Sequence, residues 1–400
     1  MTALARHLLP GAGVDRRAVA ALTAGHLGAD LFQGAVPALV PFLIRDRGLS
    51  YADAGLIVLA GSLASSFLQP LAGLVGDRLR SPWMPPLGLL LAAAGLAAGT
   101  AVTGFAAIAA ALLVGGLGVA LFHPEAVRAA RVAAGPNPGS ALAVFAVGGN
   151  LGFAIGPALV VPLAAAFGLQ AAGAVALIPL LAAGVVVAGE RHVRGAVPTT
   201  AAPAPAGPRD WRRFSLASAA ATARTGFAFG LMAFIPSWFA EELGSSVALG
   251  SAAVAAMLVA GAGGTYLGGR LSDAYGRARV ILVSLAVVVP LAVALPFAPV
   301  LVAVALLVLI GVAMDANFYP LVIVAQDALP DRVGLASGVV IGVSVGLGAG
   351  CTAVLGALVD AHGLQAALWG CVGLAMLALA CAAAGLLQAP YRSKVQLTAQ

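Results

Sequence analysis

The chain has 400 residues, of which 61% are hydrophobic and 9% charged, whereas in soluble proteins about a quarter are charged. With a mean hydropathy of +1.03, an ordinary soluble domain is excluded and a polytopic membrane protein is expected. The 51 glycines and many alanines favour closely packed helices, and the alternating segments of a barrel are absent, so the expected class is all-α. A net charge of +6 then reports loop topology in a lipid bilayer rather than nucleic-acid binding.

Residues 1–18 carry Arg6, Asp15, Arg16 and Arg17 without a separate apolar core and cleavage site, so no secretory signal is expected. At roughly 20 apolar residues per crossing, the spacing predicts twelve transmembrane helices. The first six are near 19–44, 51–76, 83–102, 105–130, 140–166 and 169–189. The second six are near 213–239, 247–270, 278–297, 299–326, 334–359 and 364–388. The Pro/Ala-rich, basic stretch 190–212 reads as an exposed linker between two six-helix bundles, 1–189 and 213–400.

Span 1 carries His26, Asp30 and Gln33 on one helical face inside an otherwise apolar run. A lone Asp at the centre of a spanning helix costs roughly 2.5–3.5 kcal/mol, so the stripe must face a partner or a watery cavity. Asp30 lies about eleven residues into the span, roughly 16 Å along the axis. It is a candidate proton carrier, with His26 one turn away as a second titrating group. The bland alternative is a satisfied polar pair that fixes helix packing. After span 2 come Gly73, Asp77, Arg78 and Arg80, the makings of a tight charged turn at a helix end.

In span 4, His123, Pro124 and Glu125 precede Arg128. Glu125 is spaced either for a structural ion pair with Arg128 or for a proton-responsive latch, and His123 joins the proton-coupling candidates. Asn150, among glycines in span 5, either bonds helix backbones or faces substrate. In span 7, Arg224 suits an anionic substrate or serves as counter-ion to Asp30 or Asp315. Gly269, Asp273 and Arg277 follow span 8 and repeat the turn after span 2. Span 10 offers Asp315 and Asn317 as substrate contacts, and Phe227, Phe229, Phe234, Phe318 and Tyr319 are candidates for an apolar cavity wall.

Cys351, Cys371 and Cys381 fall in apolar runs as core residues, and no metal-ligand spacing occurs, so neither metal nor cofactor is expected. The glycine clusters at 261–264 and 346–350 lack a following Lys-Ser/Thr and are not nucleotide loops. With no ATPase motif and no enzyme chemistry in view, a gradient must supply the energy.

Arginines crowd one side: Arg78, Arg128, Arg131, Arg209, Arg213, Arg270, Arg277 and Arg332, with those of both termini. By the positive-inside rule both termini and the linker are expected in the cytoplasm. The halves also repeat at an offset of 196 positions, which relates Asp77 to Asp273, Phe122-His123-Pro124 to Phe318-Tyr319-Pro320, Gly115 to Gly311 and Gly34 to Gly230. A six-plus-six parallel repeat is the plan of the major facilitator superfamily, with substrate between the halves.

The Gly73…Asp77-Arg78 and Gly269…Asp273 turns resemble that superfamily's signature loops. More narrowly, Gly25-His26-Leu27 with Asp30-Leu31-Phe32-Gln33, Ala64 through Pro70, Phe122-His123-Pro124-Glu125 and Val147-Gly148-Gly149-Asn150 resemble the fosmidomycin-resistance type of exporter. Gln326-Asp327-Ala328-Leu329-Pro330 is similar as well. The resemblance implies proton-driven export of a phosphonate antibiotic or related small molecule from a bacterial inner membrane; a monomer with only substrate, protons and lipid as partners is expected. Proton-coupled uptake of an organic acid or sugar derivative is the alternative on the same scaffold.

Overall fold

A computed structural model describes residues 14–79, 81–135, 138–189, 192 and 208–387. Among these every regular element is helical and none is a strand. Ten helices are each long and apolar enough to cross a bilayer. Spans 3 to 6 are Met84–Ala101, Phe105–Ala133, Pro138–Phe167 and Leu169–Ala188. Spans 7 to 12 are Trp211–Glu241, Val247–Tyr275, Arg277–Phe297, Val300–Ala328, Val333–His362 and Leu364–Leu386.

The first two spans are broken, and proline explains both breaks. Span 1 runs Arg16–Ala38 and continues as Val40–Arg47 after a bend of 52°. Pro37 and Pro41 flank that bend, and neither can donate a backbone hydrogen bond. Span 2 is Tyr51–Phe67 followed by Gln69–Leu79, with Leu68 between them and Pro70 just inside the second piece. With the bent pair taken as one span, eleven candidate crossings result among the described residues, and the broken span 2 stands where the hydropathy pattern predicts the twelfth. Trp211 and Arg212, expected in the linker, instead form the first turn of span 7, because the Asp210 carboxylate accepts from the Arg213 N–H at 2.9 Å and starts the helix early. Of the linker, residues 190, 191 and 193–207 lie outside the described residues, as do Arg6, Arg80, Arg392 and Lys394.

Small residues set the helix spacing. Gly148, Gly152 and Gly156 of span 5 stand a turn apart and lie against the backbone of Thr23, Leu27 and Leu31 of span 1. Any Cβ there would collide with a carbonyl of the facing helix. This close approach brings span 5 onto the polar face of span 1 and fixes its rotation.

Helices of residues 16–188 pack mainly with one another, and so do those of 211–386. The two sets meet chiefly where span 2 touches span 11 and where span 5 touches span 8. Span 11 opens with Val333–Ser337, passes through a π-helical turn at Gly338–Val343, and continues as Ser344–His362. The π turn lies opposite the break in span 2, with Gly338 and Gly342 against Gln69 and Ser66.

Candidate functional site

A cavity of about 240 Å³ lies between the two sets of helices. Its acidic, basic and imidazole side chains come from opposite halves: His26, Asp30 and His123 from the first, Arg224 and Asp315 from the second. Gln33, Gln69, Asn150, Thr265, Phe318 and Tyr319 also line it.

Asp30 sits between two imidazoles. Its Oδ2 is 3.2 Å from His26 Nε2 and its Oδ1 is 3.0 Å from His123 Nε2. Gln33 Nε2 donates to the same Oδ1 at 2.9 Å. The histidines are anchored at their other nitrogens, His26 Nδ1 to the Phe145 carbonyl at 2.8 Å and His123 Nδ1 to the Val119 carbonyl at 3.0 Å. A carbonyl only accepts, so each Nδ1 carries its proton and each Nε2 is the atom left to share one with Asp30. Two hydrogen bonds, His26–Asp30 and Asp30–His123, are satisfied by two protons. Losing one breaks one bond and changes the cluster's charge by one. His26 is also held in plane by stacking on Phe145, with ring centroids 4.1 Å apart and an interplanar angle of 15°.

These three side chains offer one ligand atom each within 4.8 Å, a grouping that the linear spacing did not reveal. The Nε2–carboxylate separations of 3.0 and 3.2 Å are those of hydrogen bonds.

Across the cavity, Arg224 is 5% exposed and ion-paired with Asp315. Its Nε donates to the Met314 carbonyl at 3.2 Å, and its guanidinium lies 4.9 Å from the centre of the Phe318 ring. Of the two counter-ions considered from the sequence, Asp315 is therefore the one engaged. Asp30 has its own partners.

Two candidates are placed elsewhere. Asn317, expected against substrate, is fully buried in the wall: its Nδ2 reaches Ser284 Oγ at 3.1 Å on span 9. Two residues on from Asp315, it points to the far side of the helix. Glu125, expected with the proton carriers, is also outside the cavity lining. It is 1% exposed and ion-paired with Arg128, because positions 123 and 125 face different ways on span 4. Asn150 faces the cavity and is exposed there. Of the aromatic candidates, Phe318 and Tyr319 line the cavity, whereas Phe227 is buried in the core.

Gln69 and Thr265 are cavity residues that sequence reasoning did not single out. Gln69 carried a usable signal, an amide inside an apolar run immediately before a proline.

The two charged turns bridge the halves at the basic end. Asp77 accepts from the N–H groups of Gly334 at 2.8 Å and Leu335 at 3.0 Å, capping the start of span 11. Asp273 accepts from Gly139 N at 2.9 Å, Ser140 N at 2.7 Å and Ser140 Oγ at 2.7 Å, capping the start of span 5. Gly73 lies against Gly334, and Gly269 against Gly139. Between these contacts Arg131 pairs with Asp327, which also takes Arg277 at 2.7 Å. Arg131 and Asp327 are 196 positions apart, so equivalent positions of the repeat meet across its axis. Arg78 is exposed. Farther out, Arg209 grips Asp331 and holds its carboxyl below the usual range.

Comparison with known proteins agrees with this architecture. The sequence profile described as "Major Facilitator Superfamily" matches residues 22–340 and 216–400. The chain is 31% identical over 370 residues to the fosmidomycin resistance protein of Escherichia coli (strain K12), a match that covers 90% of each. It is 30% identical over 349 residues to the uncharacterised MFS-type transporter YfnC of Bacillus subtilis (strain 168), covering 85% of each. In fold it is similar to the transporter FucP in its outward conformation, with a TM-score of 0.71, 16% identity, and coverage of 91% of this chain and 97% of that one. The human organic anion transporter MFSD10 is similar at a TM-score of 0.65 and 20% identity, covering 92% of this chain and 99% of the other.

Proposed function

The chain belongs to the major facilitator superfamily, and on that premise we propose that it exports a small anionic or amphipathic compound, fosmidomycin-like, in exchange for protons. The observation that carries this reading is the His26–Asp30–His123 cluster, three titratable groups joined by hydrogen bonds on the wall of a cavity between the halves. The 31% identity to a fosmidomycin resistance protein supports the substrate class. The asymmetric placing of basic loops supports a bacterial inner-membrane orientation with both termini in the cytoplasm. The transporter acts as a monomer of two bundles, residues 1–189 and 213–400, joined by the linker 190–212.

In the proposed cycle, the cavity opens to the cytoplasm when the Asp77 and Asp273 caps and the Arg131–Asp327 pair release. An anionic group takes Arg224 as Asp315 gives up its hold, with Gln33 and Asn150 as further polar contacts. Glu125 and Arg128 stay paired as part of the inner latch. The bundles then rock, and substrate leaves on the far side. The return stroke is made with the second proton on the His–Asp–His cluster, so one reorientation carries substrate out and the other carries a proton in.

Everted vesicles test the coupling. Substrate added to vesicles holding a preset pH gradient should dissipate it, and Asp30→Asn should abolish that effect. Wild-type dissipation by Asp30→Asn would remove Asp30 from the coupling machinery.

The Arg224–Asp315 pair supports a second reading, proton-coupled uptake of an organic acid or sugar derivative. There, a proton arriving on Asp315 frees Arg224 for an anion, so both enter together. The direction of flux separates the readings: deletion makes cells drug-sensitive under export and growth-limited on the substrate under uptake.

A further inference from the structure

Gln69 stands at the break in span 2, on the cavity lining and only 3% exposed. Its Nε2 donates to the Ser65 carbonyl at 2.7 Å. That bond fixes which way round the amide lies, since the opposite orientation would set oxygen against oxygen. Oε1 is therefore the end left over, and no donor reaches it among the described residues. The facing stretch of span 11 cannot supply one from a side chain: Gly338 and Gly342 pack on Gln69, and Ile341 and Val345 line the cavity beside it. A buried acceptor without a donor is unfavourable, so a ligand that brings a donor gains an interaction that no protein group among the described residues offers.

We propose that Gln69 Oε1 reads a hydrogen-bond donor on the substrate, so that the transporter selects hydroxyl-bearing organic anions over the same anions with the hydroxyl capped. The proposal rests on the reading of the cavity as the substrate site. It adds a second chemical requirement to the anionic group placed on Arg224. Oε1 itself is covered where Gly338 and Gly342 pack on Gln69, so the contact forms as span 11 draws back from span 2.

The test uses the full chain in lipid nanodiscs and two probes, 3-hydroxypropylphosphonate and its methyl ether, with affinities from titration calorimetry. Wild-type protein should bind the hydroxyl compound about fivefold to tenfold more tightly, the effect of one neutral hydrogen bond. Gln69→Met should bring the ratio to about one, mainly by weakening the hydroxyl compound. Equal binding of the two probes by wild type, a measurement that needs no variant, overturns the proposal. So does an unchanged preference in Gln69→Met. Arg224→Gln examines the anion assignment separately. If it leaves both affinities at wild-type values with the hydroxyl preference intact, the anion assignment fails and the Gln69 assignment stands.

Discussion

A carboxylate in the middle of a spanning helix costs roughly 2.5–3.5 kcal/mol on insertion scales, and Asp30 meets that cost with three nitrogen partners within 3.2 Å. Two of these are on its own helix, His26 and Gln33. The third, His123, comes from span 4. The carbonyl anchors on both Nδ1 atoms leave each Nε2 for Asp30 alone, so the proposed proton-carrying role falls on His123 as much as on His26. We expect His123→Gln, which keeps a donor for Asp30 but cannot take up a proton, to bring substrate-driven proton movement in vesicles to near background. Binding of substrate measured by calorimetry should survive. Full proton movement in that variant would show that His123 only props Asp30. Arg224 and Asp315 pose the complementary case: their pairing leaves neither charge uncompensated, whereas removing Asp315 strands a guanidinium that is only 5% exposed.

At the scale of elements, the closed basic end depends on helix starts. Spans 5 and 11 begin at the interface, where their first N–H groups have no partner within the helix. Asp273 and Asp77, each from the opposite half, fill those positions. Loss of an N-cap side chain costs about 0.5–2 kcal/mol, which shifts a two-state equilibrium about 2-fold to 30-fold. Asp77→Ala or Asp273→Ala should raise the population open at the basic end by that factor. Alkylation of a cysteine introduced at Ala336, a fully buried position at the start of span 11, would report it as a faster rate. Equal rates in variant and parent would mean that the caps do not hold the halves together. The π turn of span 11 lies in the same contact and lets Gly338 and Gly342 face span 2 together.

For the whole molecule, closure requires backbones of the two halves to touch at Gly73–Gly334 and Gly139–Gly269, where no side chain fits. Gly73→Val and Gly269→Val should each hold the basic end apart. Spin labels placed at the basic ends of spans 2 and 11 would read this as a longer distance distribution in both variants, and wild-type distributions would sink the idea. Much of this plan was legible in one dimension. Hydropathy marked the twelve crossings, the 196-residue offset exposed the repeat, and Asp30, His26 and Arg224 stood out because charge inside an apolar run is costly wherever it falls. Partnership was not legible, because it depends on how each helix is rotated and on which span lies next to which. Glycine contacts between spans 1 and 5 helped set that rotation, and only the packed bundle gave Asp30 to His123, Arg224 to Asp315, Asn317 to the wall and Gln69 to the cavity.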